Sequence, residues 1–102
     1  MTLQKQQSLF AHKLALLIIE AFGLGYEVTF GDFYRDQRCP YGHEKSLHKK
    51  RLAADLNLFK DGRYLTGEAG HTELHDIWDS MGGAKRIPHD LNHYSLPYQG
   101  MR

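Results

Sequence analysis

The stretch SLHKKRLAADLNLF, Ser46 to Phe59, sets the rest of the chain in order. Its second half brings Leu56, Leu58 and Phe59 up to Asp61-Gly62. An apolar run ending on Asp-Gly reads as a β-strand entering a two-residue hairpin, whose central positions both require positive φ. The hairpin spans Lys60 to Arg63, with a return strand around Arg63 to Thr66. Inside the outgoing strand, Asp55 stands between Ala54 and Leu56. A carboxylate there is costly unless a partner offsets its charge.

His48, seven positions earlier, and a divalent cation shared with it would offset that charge. A second donor-rich stretch, HDLNHYSL, runs from His89 to Leu96 and sets Asp90 three residues before His93. Two histidines and one carboxylate leave the fourth position of a tetrahedral zinc open, as hydrolytic sites require and structural ones do not. The order Ser46-x-His48, Asp55, then Asp90-x-x-His93-Tyr94 resembles the zinc peptidases of bacterial cell walls. These include D-Ala-D-Ala dipeptidases and carboxypeptidases and the L-alanyl-D-glutamate endopeptidases of phages and prophages, the small lysis enzymes looking most similar. The resemblance covers roughly Tyr26 to Leu96. It implies a hedgehog/D-Ala-D-Ala-peptidase-like fold, a Zn2+ ion on His48, Asp55 and His93, and Asp90 as catalytic acid/base. It also implies that Arg35, in DFYRDQ, holds substrate or its developing oxyanion. Ser46 would bind substrate or support a ligand. The family usually carries a glycine three positions after its first histidine, where the run Lys49-Lys50-Arg51 stands here. The loop between Arg35 and His48 is also short for the family.

Asp90 has a physical argument beside the resemblance. A peptide hydrolase needs a group that carries a proton to the leaving nitrogen, and a carboxylate just before a ligand can reach the reacting water without binding the metal. The plainer role is an Asx-type turn shaping the chain into His93. For Arg35 the plainer role is a surface cation between Asp32 and Asp36; for Ser46, a loop hydroxyl.

Composition bounds the rest. The 102 residues allow one domain with one modest core, 1–102, the last residues 97–102 reading as a tail. A hydrophobic share of 41% and a charged share of 25% are ordinary for a globular chain. A net charge of +1 gives no basic field to draw nucleic acid, and Lys49 to Arg51 alone is a solvated tripeptide. The single cysteine, Cys39, excludes an internal disulfide framework and a multi-cysteine zinc site. The seven histidines are the anomaly. His71 and His75 lie four apart on a helix, but HTELH is not the zincin motif, so they read as a surface pair. His12, His43 and His89 read as non-ligands, the last two lining the cleft. The apolar run Leu14 to Ile19 is too short for a membrane span and lacks a signal-peptide cleavage pattern. The expectation is a monomer made in the bacterial cytoplasm, reaching the wall after holin-type or other release.

Along the chain, apolar spacing predicts an amphipathic helix over about Thr2 to Phe22, ended by Gly23 and Gly25. Tyr26 to Phe30 alternates as a strand leading to Gly31–Arg35. Asp36 to Lys45 is a loop. Thr72 to Met81 reads as a short helix with Thr72 as N-cap, Leu74, Ile77, Trp78 and Met81 as its apolar face, and Gly82-Gly83 as its stop. His93 to Leu96 is a short last strand. The fold class is α+β, helices on a small, mainly antiparallel sheet. Two functions of different class fit: hydrolysis of a stem-peptide bond in peptidoglycan, L-Ala-D-Glu foremost, or a non-catalytic zinc-containing wall-binding or phage structural module. A carboxylate three before the last ligand favours the enzyme.

Overall fold

The computed structural model describes residues 2–31, 50–66 and 68–98. Arg35, Cys39, His43, Ser46 and His48 lie outside the described residues, as does the 36–45 loop.

The first helix, α1 (Leu3–Gly23), starts on Thr2, whose hydroxyl accepts from the Lys5 N–H at 3.2 Å. It ends in a Schellman arrangement: Tyr26 N–H reaches the Ala21 carbonyl and Gly25 N–H the Phe22 carbonyl. Gly25 supplies the left-handed turn at φ 93°. Phe10, Leu14, Leu17 and Ala21 form its buried stripe.

Strand β1 (Glu27–Phe30) pairs antiparallel with β2 (Ala53–Lys60), Phe30 facing Leu56. β2 turns back into β3 (Arg63–Tyr64) through Asp61 at φ 53° and Gly62 at φ 78°, the two left-handed residues of a type I′ turn. The return strand is shorter than its sequence suggests, although Leu65 N–H still reaches the Leu58 carbonyl. β4 (His93–Ser95) pairs antiparallel with the beginning of β2, matching Asp55 to His93 and Ala54 to Tyr94. All three other strands therefore pair with β2. Among the described residues the result is a small α+β fold of two helices and an antiparallel sheet, as expected.

β2 alternates: Ala54, Leu56 and Leu58 are fully buried in the core, while Asp55 and Asn57 point to the other face and are half-buried. α2 (His71–Ser80) closes the core with Leu74 and Trp78, both fully buried. The Trp78 ring meets Phe10 edge-on at 6.0 Å, and its indole N–H donates to the Ser95 carbonyl at 2.8 Å. One stripe thus locks α1, α2 and β4 together.

Three expectations are corrected here. Thr72 is not the N-cap of α2. The helix begins one residue earlier from Gly70, at φ 75°, and the Thr72 hydroxyl bonds the Glu68 carbonyl instead. His71 and His75 are not a surface pair: they are 3% and 0% exposed. The buried face of α2 is His71, Leu74, His75 and Trp78, with Ile77 and Met81 only partly covered. The tail begins later than Pro97, because Tyr98 still packs against the core.

Candidate metal centre

The strand pairing of β2 with β4 builds the site. Directly opposed residues of an antiparallel pair share a face, so Asp55 and His93 face each other away from the aliphatic core. His93 Nδ1 stands 3.5 Å from Asp55 Oδ1, with side chains 7% and 16% exposed. Two successive turns place the third group. Asp90 N–H donates to the Ile87 carbonyl at 2.9 Å, and His93 N–H to the Asp90 carbonyl at 3.1 Å. Leu56 N–H then takes the Asn92 carbonyl at 2.8 Å, pinning the second turn to β2. Asp90 is exposed, yet its carboxylate converges with the other two: donor atoms of Asp55, Asp90 and His93 all lie within 4.8 Å of one another.

This donor set fits a divalent cation. Two ligands about 2.1 Å from a tetrahedral zinc sit roughly 3.4 Å apart, close to the Asp55–His93 separation. One imidazole with two carboxylates suits a hard or borderline divalent cation and does not suit a soft, thiolate-seeking ion. The cluster is thus a possible metal-binding triad, and it brings together three of the residues picked from sequence. The backbone of Asp90 also builds the turn into His93, its carbonyl accepting from the His93 N–H.

The approach to Asp55 from β1 is equally tight. Gly31 N–H donates to the Asp55 carbonyl at 2.8 Å. A Cβ on Gly31 would lie 3.2 Å from the Asp55 Cβ, so a side chain there would push against the strand that carries Asp55. β1 therefore ends at Gly31 against the strand that carries Asp55. On the other flank, Arg51 precedes β2 with φ 59°, a left-handed conformation that costs a non-glycine residue about 1–2 kcal/mol. It stands three positions after His48.

A cleft of about 420 Å³ opens beside Asp90, lined among others by Tyr64, Glu68, His71, Pro88 and His89. His89 does line it; His12 is exposed and remote from these donors in sequence.

Behind the triad lies a polar layer that sequence reasoning missed. His71 Nδ1 is 2.7 Å from the Tyr94 hydroxyl. His75 Nε2 is 2.7 Å from the Leu91 carbonyl, and its ring stacks on Tyr94 at 4.2 Å and 10°. Burial, with the neighbouring His75, pushes the His71 imidazole down to about 4. Burial also lowers His75, and it raises the Tyr94 phenol, so all three are neutral near pH 7. The spacing 71, 74, 75, 78 was the signal: it is the buried stripe of an amphipathic helix. Arg86 ties the connecting segment to α2 through Asp76 and Asp79, both at 2.8 Å.

No protein-family model matches this chain, and no curated protein matches it either. Among the described residues, no helix is long and apolar enough to cross a membrane.

Proposed function

We propose that the chain is a zinc-dependent peptidase of bacterial cell-wall peptide, a small relative of the D-Ala-D-Ala-peptidase superfamily. In this reading it shares the hedgehog/D-Ala-D-Ala-peptidase-like fold and cleaves the stem peptide at L-Ala-D-Glu during phage or prophage lysis. It acts as a monomer after release to the wall. The observation that carries the reading is the convergence of Asp55, Asp90 and His93 on one point at the β2–β4 edge.

His93 and Asp55 would hold the zinc, joined by His48 from the preceding segment. Bound zinc supplies Lewis-acid polarisation of the scissile carbonyl and activation of water. The other roles belong to the chain. Asp90 is exposed while its two neighbours are enclosed, which suits a carboxylate that must exchange protons with water and deliver one to the leaving nitrogen. Its place on a turn bonded at both ends holds the carboxylate without drawing it into the strand. Arg35 and Ser46 would orient the substrate from the segment following Gly31. The cleft beside Asp90 would receive one arm of the peptide.

The test is incubation of the zinc-loaded protein with purified muropeptides, with products identified by mass spectrometry. A new amino terminus on D-Glu is expected, and a chelator should prevent its appearance. A protein that holds one zinc per chain and leaves every muropeptide intact would overturn the reading.

A further inference from the structure

The turn carrying Asp90 and His93 is held from below by α2. His75 is fully buried on that helix, and its Nε2 meets the Leu91 carbonyl between the two site residues. A carbonyl only accepts, so the imidazole donates, and its proton sits on Nε2. Nδ1 is buried with no hydrogen-bond partner among the described residues. Among the described residues nothing on the Nδ1 side therefore competes for the tautomer, and lowered basicity from burial keeps the ring neutral. The same ring stacks flat on Tyr94, the residue next to His93. One side chain thus grips both sides of His93, at Leu91 by a hydrogen bond and at Tyr94 by a ring contact.

The demand for such a grip is local. The segment from Ala84 to Asn92 has no helix and only one isolated bridge, Ile87 to Asp90. Another side-chain tie, Arg86 to Asp76 and Asp79, is partly solvent-exposed. Surface ion pairs contribute little rigidity. A buried hydrogen bond to a turn carbonyl is a stronger constraint.

We propose that His75 is a positioning residue of the metal centre, fixing the Asp90–His93 turn through the Leu91 carbonyl and Tyr94. It touches neither metal nor substrate. The proposal rests on the triad being a metal site, and its test separates the two ideas.

The comparison uses the full chain as wild type, His75→Phe and His75→Gln. Phenylalanine keeps the ring stack and removes the donor. Glutamine can return a donor near the Nε2 position. Amide hydrogen exchange without metal is the first readout. His75→Phe should speed exchange of the Asp90, His93 and Leu56 amides at least 10-fold, leave the Leu65 amide of the β2–β3 hairpin unchanged, and be largely reversed in His75→Gln. Zinc and cobalt titrations are the second: His75→Phe should bind roughly 10-fold more weakly, the lower end of losses from disturbed support of a ligand. Its cobalt absorption spectrum should shift, and His75→Gln should restore it. Unchanged exchange at the three turn amides overturns the proposal, as does equal slowing or speeding at Leu65. If exchange behaves as expected but the wild type binds no metal, the triad reading falls and the His75 grip stands. Should His75→Phe fail to fold, the ¹⁵N shifts of the wild-type His75 ring decide: a proton on Nε2, slowed in exchange by added zinc, supports the grip, and a proton on Nδ1 overturns it.

Discussion

Two histidine groups sit back to back in this molecule, and β4 is the partition between them. On one face His93 meets Asp55 and Asp90, with carboxylate oxygens as neighbours and an opening to solvent through Asp90. On the other, His71 and His75 meet the Tyr94 hydroxyl, its ring and a backbone carbonyl. Consecutive residues, His93 and Tyr94, point to opposite faces because side chains alternate along a strand. Residue type does not decide the chemistry of these histidines. An imidazole that faces carboxylates is set up to share a cation with them, while one facing neutral donors and acceptors is structural and stays uncharged.

The comparison breaks most visibly at the metal. One zinc per chain is expected, and His93→Ala or His48→Ala should abolish its retention after dialysis, measured by elemental analysis. His71→Phe should retain it. Zinc lost equally from both faces would erase the distinction between them. Next in size is Asp90→Ala, which should keep the zinc and lower muropeptide turnover by roughly 10²–10⁴, the scale for a positioned acid/base. Near wild-type turnover would leave Asp90 only its turn, and loss of zinc would make it a ligand.

The neutral face makes a pH prediction. His71 binds a proton less readily folded, at about 4, than unfolded, at 6.5. Between those values the unfolded chain holds more protons, so stability falls as pH falls. The contribution is fully present above pH 6.5 and fully lost below about 4, an effect on the order of 3 kcal/mol. His75, Tyr94 and the cleft residues Glu68 and Asp90 face the same region, so the test is the difference between proteins. Thermal melts from pH 7 to 4 should show a smaller drop in His71→Phe than in wild type. Parallel curves would mean that His71 is solvated.

Much of this architecture was legible. Asp61-Gly62 announced the hairpin because a type I′ turn needs those conformations, and Gly25 announced the end of α1 for the same reason. Asp55 announced itself as a carboxylate on a strand. The match of Asp55 to His93 was not legible from spacing, since it depends on β4 adding to the first residues of β2 rather than to β3. The depth of His71 and His75 was missed because their polarity outweighed their register with Leu74 and Trp78. Tyr94 supplies a hydroxyl to His71 and Leu91 a carbonyl to His75, which among the described residues satisfies all of that polarity but the His75 Nδ1. Thr72 looked like a cap, but Gly70 reaches the left-handed geometry more cheaply.

A subtler change sharpens the partition from the core side. Tyr94→Phe keeps the ring that stacks on His75 and removes the hydroxyl that partners His71 Nδ1. Leaving that buried nitrogen without its partner should cost about 1–3 kcal/mol in chemical denaturation. Zinc affinity should change by less than a few-fold, because His93 on the opposite face is untouched. A large loss of zinc with little loss of stability would show that the hydroxyl serves the metal face.

The smallest expected effect lies on the metal side, and it is stabilising. Arg51 holds a left-handed backbone at the entry to β2, three residues after His48, whereas glycine adopts that conformation freely. Arg51→Gly alone would mix the backbone gain with loss of the side chain's own interactions. Arg51→Ala loses the side chain but keeps the Cβ that makes the conformation costly, so the Gly–Ala difference isolates the backbone. Glycine should be the more stable of the two by about 1 kcal/mol, less the extra freedom it gains unfolded, a rise of a few degrees in Tm for a domain of this size. Zinc affinity should rise or stay constant in Arg51→Gly, since relaxing the approach from His48 leaves Asp55 in register. An alanine variant as stable as the glycine one would mean that Arg51 carries no strain and that the metal face is as relaxed as the core face behind it.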